Sequence, residues 1–503
     1  MRRFALLRTC CSLLFTLTFA SGAQAATYYV RNGGNDNADG KSHSTAWATI
    51  NKVNGHAFST GDSVLFHEGH VFTDTPLTVD WSGTSSQRAV IGAYHVQNGT
   101  EKRGLVNERP RFDGEDERPS SRYGHLLEVT GDYVRVENLA VVNSEGRGVV
   151  FDEANGGQIV NVYTSNTYDS GIRFMASNDA LIEGNYITDA ARSWPEDGQT
   201  LGSNVRWASA IVVHDGSYRA VIKRNVVWNV FGEGINAHHD AADVLIEDNF
   251  VFGARAIGIY ADASPRPTIR RNIVVGTSDS KYWRHANAVG AGIALGNELF
   301  HYEGSSGLAA SVQTKNAKIY NNLVASTQVG VAIWGQTSST FDNTLIYNNT
   351  LVDNQTQFSV LSGRPMPGSQ FVNNILYSAT SGTKDVNGAP SGLTATNNYF
   401  SQGDPGAPFS NAGNRYNGLQ LARMTGWRAI KDQAQVSWRD FAPAAVSMTN
   451  SAGISIAALA SVDLFNVDFN SKPHNNPFDM GAVSKGSGKV PKGPTLNSEA
   501  QVP

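Results

Sequence analysis

Three of five residues whose side chains could move a proton or neutralise charge are spaced 24 positions apart. His214 and His238 are 24 residues apart, Asp262 follows after another 24, and Arg173 and Tyr260 accompany them. A neutral imidazole accepts a proton near neutral pH, a phenol can donate or accept one, and a guanidinium pairs with an anion. The set predicts proton abstraction next to a carboxylate. Arg173 would neutralise the carboxylate, a histidine or Tyr260 would be the base, and Asp262 would orient an imidazole on a neighbouring turn.

The elements that must position these residues are short strands that open with a small residue. Gly234-Ile-Asn-Ala-His238 and Gly258-Ile-Tyr-Ala-Asp262 are two of seven such runs. Successive residues of a strand face opposite ways, so an inward Ile places the next residue, and the one two further on, outward. With strands stacked at about 4.8 Å, this phase predicts one exposed outward face. It would carry Arg173, His214, Asn236, His238, Tyr260 and Asp262, with His239, Asp240 and Asp215 at the adjoining bends.

An asparagine ladder sets the phase of these strands. Asparagines follow short apolar runs at Asn138, Asn161, Asn185, Asn225, Asn249, Asn272, Asn322, Asn349, Asn374 and Asn398, in steps of 23, 24, 40, 24, 23, 50, 27, 25 and 24 residues. A fixed period of this length marks a repeat architecture. The repeats alternate Val, Ile, Tyr and Phe between Gly, Asn and Asp, which is typical of strands. The sequence predicts an all-β, right-handed parallel β-helix, with the asparagines inward and hydrogen-bonded from turn to turn.

Two long steps predict insertions beside the outward face. Insertions in a solenoid emerge as loops, often on the binding face. The 50-residue step is also close to two periods, so it could contain one degenerate turn. Aromatic rings and charged groups suit the faces and hydroxyls of sugars. The residues expected to contact substrate are Asn236, His239, Asp240, Arg192, Trp194, Trp207, Trp283, Arg284 and Trp334.

The ends of the chain indicate an exported protein. Residues 1–25 have a basic start, an apolar stretch and a small-residue cleavage site, as in a signal peptide, which predicts a periplasmic or extracellular location. Both cysteines lie in this segment, and no later stretch is apolar enough to span a membrane. The remainder has 37 basic and 44 acidic residues, a net charge of −7, which argues against nucleic-acid binding.

Composition and periodicity divide the rest into four parts. Residues 26–80 are expected to form an N-terminal cap and the first strands, including a short helix near 47–53. Residues 81–403 carry the β-helix, and 404–484 form a capping or lateral segment with a possible helix at 419–432. Residues 485–503, rich in Gly, Pro, Ser and Lys, are expected to be disordered. The oligomeric state is left open.

Several segments resemble secreted right-handed parallel β-helix proteins of the polysaccharide lyase and mannuronan C5-epimerase type. They are Tyr28-Tyr-Val30, Gly34-Asn-Asp36, Asp39-Gly40, Trp47-Ala-Thr-Ile50, Gly61-Asp-Ser-Val-Leu-Phe66, the ladder, and Phe478-Asp-Met-Gly-Ala482. The resemblance implies action on a uronate polymer in a groove along one sheet. The epimerases carry an Asp-Pro-His-Asp motif; the nearest segment in this chain, Asn236-Ala-His-His-Asp240, lacks its Asp-Pro opening.

Proton abstraction at C5 of a uronate would give β-elimination, the favoured reaction, or epimerisation if the proton returns to the opposite face. Two other classes of function stay open. A glycoside hydrolase needs two carboxyl groups, for which Asp215, Asp240 and Asp262 are candidates. A solenoid that only binds glycans needs no catalytic carboxyl group. No cofactor is required by these readings, although the same carboxylates with Asn236 could bind Ca²⁺.

Overall fold

Three parallel sheets run along a computed structural model of the chain. The structure describes residues 25–193, 208–284, 288–298, 300–301, 308–309, 312–336, 338–410, 413–416, 419, 421, 423–432 and 435–436. Each turn of the coil contributes one strand to the first sheet, then one to the second and one to the third, and pairs in parallel with the next turn. This is the parallel β-helix that the repeat predicts.

Each sheet is a stack of short strands from successive turns of the coil. In the described residues, the first sheet contains Thr27–Val30, Ser63–His67, Ala89–Gln97, Val134–Glu137, Gln158–Val160, Leu181–Glu183, Val221–Lys223, Leu245–Glu247, Thr268–Arg270, Lys318–Tyr320, Leu345–Tyr347, Ser369–Val372 and Leu393–Thr396, with Thr100–Arg103 antiparallel to Ala89–Gln97. The second contains Val71–Phe72, Arg111–Asp113, Ala140–Ser144, Tyr163–Thr167, Tyr186–Thr188, Val226–Val230, Phe250–Ala254, Ile273–Val275, Leu323–Ala325, Thr350–Val352, Ile375–Tyr377 and Tyr399–Phe400. The third contains Leu77–Val79, His125–Val129, Arg147–Asp152, Ile172–Met175, Ser209–His214, Glu233–His238, Ile257–Asp262, Ala291–Asn297, Val329–Gly335, Thr356–Val360 and Lys384–Asn387.

The asparagine ladder lies at the bend between the first and second sheets and is buried, as predicted. From Asn185 to Asn398, each side-chain amide donates to the Oδ1 atom of the next asparagine at 2.9 to 3.1 Å. The same Oδ1 atom accepts the backbone N–H of the preceding asparagine; Asn249 Oδ1 receives the N–H of Asn225 at 3.0 Å. Repetition thus satisfies polar groups that would otherwise be costly to bury.

One detail of the predicted ladder was wrong, and one open point is resolved. Asn138 and Asn161 lie one position out of phase, because Asn185 Oδ1 accepts the N–H of Val162 rather than that of Asn161. Both have positive φ and bond to each other instead, with Asn161 Nδ2 2.7 Å from Asn138 Oδ1. The 50-residue step is a single turn, since strands Thr268–Arg270 and Lys318–Tyr320 pair directly. Its extra residues precede and follow strand Ala291–Asn297 of the third sheet, and among them Phe300–His301 pairs antiparallel with Leu308–Ala309.

Crowding explains why strands of the third sheet open with a small residue. A Cβ atom on Gly258 would overlap Val274 of the core and the carbonyl of Gly292. Gly234 meets Val251 and the Gly258 carbonyl in the same way. A side chain at either glycine would therefore point inward, as do the isoleucines that follow. The strict alternation of inward and outward positions along the strand is broken there. The residue before each glycine consequently faces outward.

The ends of the coil are covered by short elements. The predicted N-terminal helix is present at Ile50–Asn54, where Thr49 caps it by accepting the N–H of Lys52 at 3.0 Å. Parallel pairing begins before the predicted boundary at residue 81, because strands from 63 to 79 already belong to the three sheets. The remaining helices of the described residues are 3₁₀ turns at Ser280–Tyr282, Leu361–Gly363 and Trp427–Ala429.

The C-terminal segment packs against the side of the coil. Leu421, Trp427 and Ile430 bury apolar side chains against outward residues of the second sheet, such as Phe250 and Phe252. The helix predicted at 419–432 is limited, in the residues described, to the 3₁₀ turn at Trp427–Ala429. None of the helices in the described residues is long and apolar enough to cross a membrane. The predicted signal peptide and C-terminal tail lie outside the described residues.

Candidate active site

The register of the third sheet aligns the predicted outward residues. Asn236 pairs with Tyr260, and His238 with Asp262, on adjacent strands. Arg173 pairs with Val212, and Val212 pairs with Asn236 on the next strand, so Arg173 lies in the same row two strands from Asn236. The alignment is therefore as predicted, but the exposure is not. His214, Asn236, Tyr260 and Asp262 are each less than 5% exposed.

The aligned residues form the wall of a pocket and a histidine cluster at its edge. The pocket has a volume of about 980 Å³ and opens on the outward side of the third sheet. We call it the carboxyl pocket, after three acidic residues in its wall. The lining residues with chemical function are Glu233, Asn236, His238, His239, Tyr260, Asp262, Arg284, Glu298, Trp334 and Arg364.

Asp262 is the most shielded acid of the pocket. It is 1% exposed, and its Oδ1 atom accepts the backbone N–H of Glu298 at 3.0 Å. Loss of water by burial, aided by the negative charge of Glu298, raises the pKa of Asp262 to about 8. At neutral pH the Asp262 carboxyl therefore holds its proton and can donate it.

Tyr260 is a neutral donor rather than a base. Its hydroxyl oxygen accepts the indole N–H of Trp334 at 3.0 Å. Burial, reinforced by the charges of Asp262, Glu298 and Glu233, raises its pKa well above the ordinary value of 10. Such a phenol keeps its proton at any physiological pH.

Glu233 is held rigidly at the start of its strand. Its Oε2 atom accepts the hydroxyl of Ser209 at 2.8 Å and the side-chain amide of Asn236 at 2.6 Å. Burial raises the pKa of Glu233 to about 7, although both hydrogen bonds favour the ionised form. Close to neutral pH this carboxyl is therefore present in both protonation states.

Glu298 and Arg284 come from the two loops that flank the third sheet. Glu298 directly follows strand Ala291–Asn297. The residue as a whole is exposed to solvent, but its carboxyl group contacts Tyr260 and Trp334. Desolvation of that carboxyl raises its pKa, and the charge of Arg284 opposes the shift. Arg284 also acts electrostatically on Glu233 and Tyr260, so its guanidinium is the cation shared by the acidic wall.

The histidine cluster contains His214, His238 and His239, and Asp215 organises it. Asp215 Oδ2 lies 2.9 Å from Nδ1 of His214, and its Oδ1 lies 3.1 Å from Nδ1 of His239. Burial lowers the pKa of His214 to about 4 and holds the pKa of His238 well below its usual range. The His214 and His238 imidazoles are therefore neutral. Asp215 takes the orienting role predicted for Asp262, because Asp262 turns towards Tyr260 and Glu298 instead.

Other predicted residues lie away from the pocket. Arg173 acts on His125 and His214 and does not line the cavity, so Arg284 supplies the cation there. Arg192 pairs with Asp116 at 3.4 Å and with Glu145 at 3.7 Å.

Two further substrate-contact predictions fall on structural residues. Trp283 donates its indole N–H to the carbonyl of Thr277 at 2.9 Å and packs on the core. Asp240 accepts the hydroxyl of Tyr218 at 2.9 Å. Trp194 and Trp207 lie outside the described residues.

Glu233, Glu298 and Arg364 were not predicted. Glu233 was not predicted because the outward positions were assigned only from the isoleucine after Gly234 onward, whereas a side chain at Gly234 would also point inward, which leaves Glu233 outward. The signal was available: the residue before each small residue forms a further outward column, and Ile257, Ala291 and Val329 from that column also line the pocket. Glu298 and Arg364 lie in loops, where the repeat does not predict which residues face the pocket.

The predicted carboxylate ligands of calcium do not converge. Among the described residues, the group of three or more His, Cys, Asp or Glu side chains close enough to share an ion is His214, His238 and His239, with ligand atoms within 4.8 Å. Asp215, Asp240 and Asp262 form no such group there. Imidazole nitrogens suit zinc and other transition metals, whereas Ca²⁺ prefers oxygen ligands.

Comparison with known proteins supports the fold more strongly than any activity. Residues 124–299 match a family model described as a right handed beta helix region. A lacto-N-biosidase of Bifidobacterium longum subsp. longum is 24% identical in an alignment 330 positions long, which covers 53% of this chain and 20% of that protein. The chain thus spans about a fifth of the length of this curated relative.

Two solved structures are similar along most of the chain. Pectate lyase Pel9A has a TM-score of 0.51 and 14% identity, covering 92% of this chain and 97% of that one. XylC, solved in complex with xylose, has a TM-score of 0.52 and 12% identity, covering 78% and 87%. At these identities the likeness is one of fold. The chain therefore has the right-handed parallel β-helix fold of the polysaccharide lyases that its sequence resembles.

Proposed function

We propose that this protein is a glycan-cleaving enzyme that hydrolyses a glycosidic bond in the carboxyl pocket, with Asp262 as the general acid. The observation that carries the proposal is the Asp262 carboxyl, which burial beside Glu298 keeps protonated at neutral pH. Glycoside hydrolysis requires one carboxyl group that still holds a proton and a second that does not.

Glu298 is the candidate for the second group. It is more exposed than Asp262, contacts the same tyrosine, and feels the positive charge of Arg284. These features favour the ionised form of Glu298 more than they favour the ionised form of Asp262. Glu298 would activate water or attack the sugar, while Asp262 protonates the leaving oxygen. Glu233, which is fixed by Ser209 and Asn236, would hold a sugar hydroxyl or support Arg284.

Trp334 and Tyr260 provide a surface for a sugar ring. Their ring centroids are 5.3 Å apart at an angle of 44°, and the Trp334 indole N–H is already bonded to the Tyr260 hydroxyl. An aromatic face packs against the C–H side of a sugar, and a volume of about 980 Å³ suits a ligand larger than a monosaccharide. The name of the lacto-N-biosidase, which denotes a glycosidase, agrees with this reaction.

The second candidate is β-elimination of a uronate polymer, the reaction favoured by the sequence. Arg284 and Arg364 line the pocket and could pair with a uronate carboxylate, and the neutral Tyr260 hydroxyl could serve as the acid. His238, also in the lining, is then the candidate base. The pairing of a protonated Asp262 with Glu298 matches the two carboxyl groups that hydrolysis requires, which places elimination second. C5-epimerisation would use the same groups.

Product analysis distinguishes the reactions. The protein lacking residues 1–25 is incubated with neutral, N-acetylated and uronate-containing glycans, and reducing ends are measured together with absorbance of unsaturated uronate. New reducing ends without that absorbance support hydrolysis. Absorbance supports elimination, and C5-proton exchange with solvent deuterium without cleavage supports epimerisation. Binding without any of these signals contradicts an enzymatic role.

We also propose that the protein acts outside the cytoplasm, on the basis of the signal-peptide pattern in residues 1–25. Expression with and without these residues, followed by fractionation, tests this. Export that does not depend on them, or retention of the full chain in the cytoplasm, would contradict it.

A further inference from the structure

The histidine cluster at the edge of the carboxyl pocket has the features of a metal site. We infer that His214, His238 and His239 bind one zinc-class divalent transition metal ion, with Asp215 holding two of the imidazoles in position. The inference goes beyond the proposed hydrolysis and does not depend on it, because neither Asp262 nor Glu298 belongs to the cluster.

The first argument is convergence. Ligand atoms of the three imidazoles lie within 4.8 Å of one another. His214 is brought there by strand Ser209–His214, and His238 by the next strand, so parallel pairing fixes their relative height. The ring centroids of His214 and His238 are 5.3 Å apart, and those of His238 and His239 are 4.2 Å apart. Side-chain rotations could bring three nitrogens to the roughly 2.0 Å that zinc requires.

The second argument is the role of Asp215. One carboxylate contacts Nδ1 of both His214 and His239, which assigns Nε2 as the ligating atom of each. Metal-bound histidines commonly donate their other ring N–H to a carboxylate, which orients the ring and strengthens the ligand. Asp215 also offsets the positive charge of Arg173, which acts on His214 and His238.

The third argument is an unsatisfied buried nitrogen. His214 is 2% exposed, and its Nε2 atom has no hydrogen-bond partner among the described residues. A buried polar atom without a partner is costly, and a role as a metal ligand is one explanation for it.

Three histidines leave a fourth tetrahedral position for water or a ligand. His238 and His239 line the carboxyl pocket, so a bound ion would place positive charge at its edge. A metal-bound His238 could not also act as a base. The proposed site and an elimination reaction that uses His238 as base therefore exclude each other.

The test is metal binding by the protein lacking residues 1–25, after chelator treatment. Zn²⁺ titration by calorimetry should give one site per chain, Co²⁺ should give the visible absorption of a tetrahedral nitrogen site, and Ca²⁺ should not compete. His239→Asn should weaken Zn²⁺ binding by at least about 100-fold, and Asp215→Asn by about 10- to 100-fold. His125→Asn, which removes a histidine from the same sheet outside the cluster, should leave the affinity unchanged.

His239 is chosen because it is less buried than His214, and thermal unfolding without metal verifies that each variant is folded. Absence of Zn²⁺ binding by the wild type would overturn the inference. Equal affinity in His239→Asn would also overturn it, since the ion would then sit elsewhere. Neither outcome bears on glycan hydrolysis, because these measurements contain no glycan.

Discussion

The backbone N–H of Glu298 donates a hydrogen bond to the Asp262 carboxyl group at 3.0 Å, which joins two acidic residues from different turns of the coil. Asp262 ends one strand of the third sheet, and Glu298 follows the strand beside it. Burial raises the pKa of both carboxyl groups, and the charge of Glu298 adds to the shift at Asp262. This relationship underlies the proposed division into an acid and a base.

The pKa of Asp262 predicts how activity depends on pH. A general acid works only while protonated, so kcat/KM should fall about tenfold per pH unit above pH about 8. At low pH, kcat/KM should fall as Glu298 becomes protonated. The measurement is kcat/KM against pH on the cleaved glycan. Asp243→Asn, an exposed acid paired with Arg266, is the control and should leave the profile unchanged. A rate that stays constant well above pH 8 would contradict the role of Asp262.

Buried Glu233 predicts that the fold loses stability as pH rises. Its pKa is raised from an ordinary 4.5 to about 7, so the folded state holds a proton that the unfolded state has already released. The contribution of Glu233 to the free energy of unfolding should therefore be greatest below pH about 4.5 and decrease as the pH rises to about 7. Glu233→Gln should reduce that decrease and raise Tm relative to the wild type at pH 8, but not at pH 4. Parallel Tm curves for both proteins would argue against a buried, protonated Glu233.

Gly296 makes room for the catalytic groups. A Cβ atom there would overlap both the Tyr260 hydroxyl and the Asp262 carboxyl group. Gly296→Ala should displace these side chains and lower kcat by at least about tenfold, while the coil remains folded. Gly55→Ala is the matched control, because a Cβ atom at Gly55 makes only ordinary contacts. Circular dichroism and kcat are measured together; full activity in Gly296→Ala would contradict the packing described.

The asparagine ladder predicts a large stability effect far from the pocket. Asn249→Ala leaves the N–H and side-chain amide of Asn225 without their shared acceptor. It also removes the side-chain donor from Asn272 Oδ1, which keeps only the backbone N–H of residue 249, and from the carbonyl of Ile222. Each buried polar group left unsatisfied costs about 1–3 kcal/mol, so the free energy of unfolding should fall by several kcal/mol. Denaturant unfolding measures this, with exposed Asn51→Ala as the control. Equal unfolding midpoints would show that the ladder bonds contribute little.

The repeat explains why so much of the fold could be predicted. Once the ladder fixed the phase, alternation gave the correct alignment of Asn236 with Tyr260 and of His238 with Asp262. Such residues lie side by side because parallel strands one turn apart keep a constant register.

The pocket could be predicted only in part, since its other groups do not obey the repeat. Glu233 faces outward because Gly234 interrupts alternation, and Glu298 and Arg284 lie in loops whose paths depend on tertiary packing. Burial was also not predictable. Because Asp262 is a buried acid rather than an exposed carboxylate, the same residues favour a different chemistry.

The central claim is that Asp262 donates the proton to the leaving oxygen, and a leaving-group comparison tests it most directly. Asp262→Asn and the wild type are assayed on the natural glycosidic bond and on an aryl glycoside of the same sugar, whose phenolate leaves without protonation. The account predicts that Asp262→Asn loses roughly 100- to 10,000-fold in kcat/KM on the natural bond and far less on the aryl glycoside. An equal loss on both substrates, or none on the natural bond, would contradict it.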